Sequence, residues 1–182
     1  MKTAFIIHWT GGNPGENWFP WMKQELEVKG YQVFVPTLPT PDNQSLTSWK
    51  DAFDQYLQYI NKDTIFIAHS SGPAFVLSIL ENIKQPISAC YFVAGFLGLI
   101  GIESFDRLNK TITHREFHWG KIKESSQSFY MYHWSDDPYV PLNNAQDMAD
   151  SLWIQIDMIE WGGHLNSESG YKSFEYLWEK IQ

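Results

Sequence analysis

Three residues widely separated in the chain have the types that acyl transfer requires. They are a serine, Ser70; an acid, Asp136 or Asp137; and a histidine, His164. A serine hydroxyl is too weak a nucleophile at neutral pH and needs a base within hydrogen-bond reach, and that base needs a partner to orient it. Ser70 stands in Ala68-His69-Ser70-Ser71-Gly72, between the apolar run Asp63-Thr64-Ile65-Phe66-Ile67 and the helix-like run Pro73 to Leu80. Strand, sharp turn and helix form the context of a nucleophile elbow, in which the residues two before and two after the serine are small because the turn crowds them. Ala68 stands where Gly is usual, so the pattern is one residue short, and the motif alone also fits a polar turn with a capping Ser. Asp136 and Asp137 follow the strand candidate Phe129-Tyr130-Met131-Tyr132. His164 follows Ile154 to Ile159 by way of Glu160-Trp161-Gly162-Gly163. Each of the three therefore comes after a predicted strand, and in an open parallel sheet the strand C-termini share one edge, where sites form.

The elements that would position them alternate. Strands are predicted at Thr3–His8, Gln32–Pro36, Thr64–Ala68, Ala89–Val93, Ser128–Tyr132 and Ile154–Ile159. Most are apolar at consecutive positions, as strands covered on both faces are. Helices are predicted at Asn17–Lys29, with Asn17 as cap and Gly30 as stop, and at Thr47–Ile60, Ser71–Ile83, Asn143–Leu152 and Ser169–Ile181. This alternation implies an α/β fold, a parallel sheet with helices on both faces. The segment at about 95–123 breaks the rhythm, with no strand and little helical pattern. It is rich in bulky residues, Phe96, Leu97, Leu99, Ile100, Phe105, Leu108, Phe117 and Trp119 among them. An insertion of that length is either a packed helix or one wall of a pocket.

Taken together, Asn17-Trp18-Phe19-Pro20-Trp21, His69-Ser70-Ser71-Gly72, Asp136-Asp137-Pro138-Tyr139-Val140-Pro141 and Gly163-His164 resemble the alpha/beta hydrolases, specifically the small serine hydrolases similar to retinoblastoma-binding protein 9. The resemblance covers nearly the whole chain, which implies one hydrolase domain over residues 1–182 with a cap-like insertion at about 95–123. It implies a three-layer α/β/α sandwich around a mainly parallel six-stranded sheet in the order 2-1-3-4-5-6, a reduced alpha/beta-hydrolase fold. The chain order Ser, acid, His is that of this fold's triads. Its acid loop, Asp-x-x-Val-Pro, selects Asp137 over Asp136, which is left to brace the turn. Ser70 is then the nucleophile, His164 the base and Asp137 its orienting acid. An oxyanion hole needs two donors. The Ser71 N–H is one, and Trp9 or Thr10, in a first loop that departs from the family pattern, is the other. His8, Phe96, Trp119 and Trp161 are the candidates for contact with substrate. The implied activity is that of a serine hydrolase of esterase type on small acyl substrates through an acyl-enzyme. The same triad would serve amides, peptides or thioesters, and a binding or regulatory protein on a hydrolase fold is the rival class. A Leu-x-Cys-x-Glu motif would favour the rival, and none surrounds Cys90.

Composition narrows the partners. The chain has 182 residues, 43% hydrophobic and 19% charged, with a formal net charge of -8. That length holds one well-cored domain. No basic stripe is visible, so nucleic acid is not an expected partner. His8-Trp9-Thr10-Gly11-Gly12-Asn13-Pro14-Gly15 fits neither the dinucleotide nor the phosphate-loop pattern. His114 and His118 lie four apart but without a third ligand, so no metal and no cofactor is called for. The lone Cys90 reads as a buried small hydrophobe. Met1 to Ile7 reads as a first strand rather than a signal peptide. The apolar stretch from Cys90 to Ile102 is too short and too broken by glycine to span a bilayer. The expectation is a cytoplasmic protein without membrane attachment, monomeric or weakly dimeric.

Overall fold

A computed structural model describes residues 1–160 and 162–181. Six parallel strands form one sheet in the order β2-β1-β3-β4-β5-β6. The strands are β1 (Thr3–Ile7), β2 (Gln32–Phe34), β3 (Thr64–His69), β4 (Ile87–Val93), β5 (Ser126–Trp134) and β6 (Ile156–Ile159). The helices are α1 (Phe19–Val28), α2 (Leu46–Phe53), α3 (Gly72–Leu80), α4 (Glu103–Thr113), α5 (Trp119–Glu124), α6 (Leu142–Leu152) and α7 (Glu175–Lys180), with short 3-10 helices at Asp54–Tyr59 and Ser167–Ser169. Among the described residues no helix is long and apolar enough to cross a membrane.

The period-2 geometry of strands explains the two cores. Phe5, Ile7, Phe66, Ala68, Cys90, Phe92 and Met131 point to one face, where they meet Trp49 and Phe53 of α2, Phe75 and Val76 of α3, and Ala145 and Met148 of α6. Their alternates Ala4, Ile6, Ile65, Ile67, Tyr91, Val93, Tyr132 and Trp134 point to the other, against Phe19, Met22 and Leu26 of α1 and Phe174, Leu177 and Ile181 near the C-terminus. Both faces are covered, so the strands are apolar throughout and the layers are α/β/α. Burial drives the Cys90 thiol pKa upward, and it stays protonated in the core.

Three local expectations need correction. Asn17 does not cap α1. It takes φ 53°, and its Oδ1 accepts from the Ser167 N–H at 2.8 Å instead, tying the helix entry to the C-terminal loop. The last predicted helix is shorter, because Gly170 at φ 89° ends a 3-10 turn and α7 begins only at Glu175. The segment 95–123 contains two helices. Glu103 and Asp106 in the first turn of α4 and Lys110 in its last complement the helix dipole. Its core-facing stripe is only Asn109, Ile112 and Thr113, which explains its faint apolar signal in the sequence.

Candidate active site

Parallel register brings the loops after β1, β3, β4, β5 and β6 to one sheet edge. Ile7 pairs with Ala68, His69 with Val93, Val93 with Tyr132 and Trp134 with Ile159. The next residues of each strand are therefore neighbours. Ser70 turns the chain from β3 into α3 with φ 58°, a left-handed conformation that costs a non-glycine residue about 1–3 kcal/mol. The turn is held by the Ser70 N–H, which donates to the Val93 carbonyl at 2.8 Å. Gly72 is required by close approach: a Cβ there would lie 2.9 Å from the Ile7 carbonyl oxygen. The whole of α3 behind the turn is buried, so the elbow rests on a rigid support.

Asp137 and His164 meet across the same edge. His164 Nδ1 donates to Asp137 Oδ2 at 2.8 Å, with both side chains almost fully buried. The other carboxylate oxygen accepts the backbone N–H groups of Tyr139 and Val140 at 2.9 and 3.0 Å. Burial alone would raise the Asp137 pKa. The His164 bond and charge and the two backbone donors outweigh it and hold the carboxyl below its ordinary value. Asp136 is exposed and accepts from the Gly163 N–H at 3.1 Å, so it braces the histidine loop as the turn reading expects. Ser70 and His164 line one cavity of about 380 Å³, walled by Trp9, Thr10, Phe96, Ile100, Phe105 and Val140 and rimmed by Glu16 and Glu168. Ser70 Oγ makes no hydrogen bond to the imidazole in this structure. Such bonds are often long before substrate arrives.

The remaining predicted site residues divide. Phe96 lines the cavity. His8 does not: it is fully buried, its Nε2 accepting from the Leu38 N–H at 2.9 Å and its Nδ1 donating to the Trp9 carbonyl at 2.9 Å, so it fastens the β1 loop. Burial lowers its pKa, the Trp9 bond opposing, as its neutral accepting role requires. Trp119 stands against Phe117, ring centroids 5.2 Å apart, in a separate groove. Trp161 lies outside the described residues. Trp9 lines the cavity, and Ser71 sits at the N-terminus of α3, where the helix dipole favours negative charge. The Thr10 N–H, a candidate oxyanion donor, is engaged: it donates to Ser71 Oγ at 3.0 Å.

Several contacts at the site carried no sequence signal. His69, the variable position of the elbow, is fully buried, and its Nε2 donates to the His164 carbonyl at 2.8 Å. Burial, reinforced by the neighbouring His164, pushes its pKa down to about 3, so it is neutral. Thr10 Oγ1 and Ser71 Oγ lie 3.1 Å apart. Thr10 Oγ1 also donates to Asn109 Oδ1 of α4 and accepts from Gln44 Nε2 at 2.8 Å. These contacts join residues 34 to 99 positions apart, so no local pattern announces them.

A six-stranded parallel sheet with helices on both faces, and a serine elbow and a histidine at its C-terminal edge, is the architecture of an alpha/beta hydrolase. The family model for serine hydrolases matches residues 4–182, and the chain belongs to that family. It is similar to the putative hydrolase YdeN of Bacillus subtilis (strain 168), 26% identical over 183 residues that cover 99% of this chain and 94% of YdeN. It is also similar to serine hydrolase RBBP9 of Rattus norvegicus, 25% identical over 167 residues covering 90% and 87% of the two chains. The crystal structure of the B. subtilis ydeN gene product superposes with a TM-score of 0.91 at 25% identity, covering 100% of this chain and 97% of that one. Est1E from Butyrivibrio proteoclasticus with ferulic acid bound shares the fold at a TM-score of 0.71 and 13% identity, covering 100% of this chain and 90% of that one. Family and fold together make this chain a hydrolase.

Proposed function

We propose that the chain is a serine hydrolase of esterase type that acts on small acyl substrates through Ser70, His164 and Asp137. The observation that carries this is the 2.8 Å bond from His164 Nδ1 to the buried Asp137 carboxylate, on an imidazole that shares a cavity with the elbow serine. That bond places the proton on Nδ1 and leaves Nε2 as a base. Nε2 takes the Ser70 proton as Oγ adds to the acyl carbon, and Asp137 stabilises the imidazolium. The imidazolium then protonates the leaving alcohol. Water, activated by the same nitrogen, releases the acid from the acyl-enzyme. The Ser71 N–H is the first donor to the oxyanion. Of the two candidates for the second, the Trp9 N–H has no partner among the described residues, while the Thr10 N–H serves only if Ser71 Oγ releases it.

A fluorophosphonate probe followed by mass spectrometry tests this reading. Adduct on Ser70, lost in Ser70→Ala, is the expected result. Labelling that persists in folded Ser70→Ala protein would remove the nucleophile. Absence of labelling in the wild type would favour a binding protein on a hydrolase fold.

A further inference from the structure

The structure assigns to Asn109 a role in choosing substrates: we infer that its side-chain amide donates a hydrogen bond to a second oxygen of the substrate, close to the scissile carbonyl. This inference rests on the esterase reading of the same cavity. Asn109 is only 2% exposed, lies on α4 and lines the cavity that holds Ser70 and His164. A buried side-chain amide in such a place either braces the fold or reads a ligand, and its hydrogen bonds separate the two.

The orientation of the amide follows from a carbonyl. Gln44 Nε2 lies 3.1 Å from the Leu108 carbonyl oxygen, which only accepts, so that atom of Gln44 is the donor nitrogen. Gln44 Oε1 on the other side accepts the Thr40 hydroxyl at 2.6 Å, in agreement. The same Gln44 nitrogen lies 3.2 Å from the Asn109 side chain, so the Asn109 atom facing it is Oδ1. Oδ1 also accepts the Thr10 hydroxyl. The acceptor end of Asn109 is thereby used twice. Its donor end, Nδ2, has no partner among the described residues. A brace alone would need only Oδ1. Nδ2 is a held donor in the cavity wall, and a site built around such a donor disfavours a substrate that leaves it unpaired.

The ligand chemistry follows. A donor of N–H type matches an ether, hydroxyl or carbonyl oxygen on the acyl or alcohol part. Asn109 shares one cavity of about 380 Å³ with Ser70 and His164, and Thr10 connects it to Ser71 by successive side-chain bonds, so that oxygen belongs to the part of the substrate bound in that cavity.

The test compares isosteric esters that differ by one oxygen. The acyl pair is p-nitrophenyl methoxyacetate and butyrate, and the alcohol pair is 2-methoxyethyl butyrate and butyl butyrate. For each pair, the kcat/KM ratio is measured in the wild type, in Asn109→Asp and in Asn109→Ala. Asp keeps an acceptor for Thr10 and Gln44 but has no N–H to offer; Ala removes both and serves if the Asp protein does not fold. Dividing by the wild-type ratio cancels the differing intrinsic reactivity within a pair. The inference expects the oxygen-bearing ester of at least one pair to lose about tenfold relative to its partner in the variants. Ratios that stay at the wild-type value, even with every rate depressed, would make Asn109 a brace and overturn the inference while leaving the Ser70 reading intact. A folded wild type that hydrolyses none of the four esters would overturn both.

Discussion

Replacing Asp137 with Asn probes the site at its most informative atom. The carboxylate makes three bonds: Oδ2 accepts from His164 Nδ1 at 2.8 Å, and Oδ1 accepts from the N–H groups of Tyr139 and Val140 at 2.9 and 3.0 Å. An Asn amide can satisfy only one side. Keeping its oxygen toward the two backbone donors turns its NH₂ toward His164 Nδ1, and two donors then face each other. The imidazole relieves this by moving its proton to Nε2, the nitrogen that must be free to accept from Ser70. The wrong tautomer costs on the order of 10⁴ in kcat in triads of this kind, or ~5 kcal/mol of transition-state stabilisation. Loss of a charge-assisted bond removes about 1.5–3 kcal/mol of stability as well. Asp136→Asn loses at most one exposed bond, to the Gly163 N–H, and should cost less than about tenfold, since exposed interactions contribute ~1 kcal/mol or less. The assay is kcat/KM on p-nitrophenyl butyrate, with circular dichroism to establish folding. A folded Asp137→Asn protein within tenfold of wild type, or a larger loss at Asp136→Asn, would refute the argument.

Three further outcomes follow. Ser70→Gly relieves the left-handed strain at φ 58°. It should raise Tm by several degrees, at 2–4 °C per kcal/mol for a chain of this size, while ester turnover disappears; a lower Tm by calorimetry would count against strain at the elbow. His69 is held neutral, its pKa at about 3 against an ordinary 6.5. The unfolded chain therefore takes up that proton first, and stability is whole above pH 6.5 and falls by roughly 1.4 kcal/mol per unit as the pH drops toward 3. The depressed Asp137 carboxyl adds its own loss only below the ordinary carboxylate range. His69→Gln, which keeps a donor for the His164 carbonyl, should show a smaller fall in Tm between pH 7 and 5 than wild type, and an equal fall would refute the assignment. Finally, kcat/KM for p-nitrophenyl esters should rise about fourfold per methylene from acetate to butyrate, at ~0.8 kcal/mol each, then decline as the 380 Å³ cavity fills. Phe96→Ala should flatten that profile and Trp119→Ala should not; a steady rise to long chains would contradict it.

Much of this was open to reading because strands and elbows leave local marks. Ser70, Asp137 and His164 each follow an apolar run, and the parallel sheet alone brings such positions together. The same logic misplaces His8, because a histidine at a strand end reads as site-facing whichever way its ring turns. Trp119 is misplaced for a similar reason: bulk in an insertion says that a side chain packs, not on which side. Asn109 and Gln44 were invisible. On α4 and in a polar loop they look like ordinary solvent-facing residues, and their partners are chosen by folding at separations of 34 to 99 positions.

The bonds from Thr10 and Gln44 to Asn109 have a mechanical meaning. Asn144 Nδ2 of α6 also donates to the Leu97 and Leu99 carbonyls at 2.8 and 2.9 Å, and the Glu81 carboxylate accepts from Arg115 Nη2 at 2.8 Å and from the His118 N–H at 2.9 Å. The segment over the sheet edge is thus stitched to the domain at both ends and in the middle. It does not behave as a hinged flap, because lifting it would strip several buried polar groups of their partners at about 1–3 kcal/mol each. Glu16 and Glu168 line the cavity beneath that fixed segment, and the potential of two carboxylates there disfavours anionic ligands relative to neutral ones.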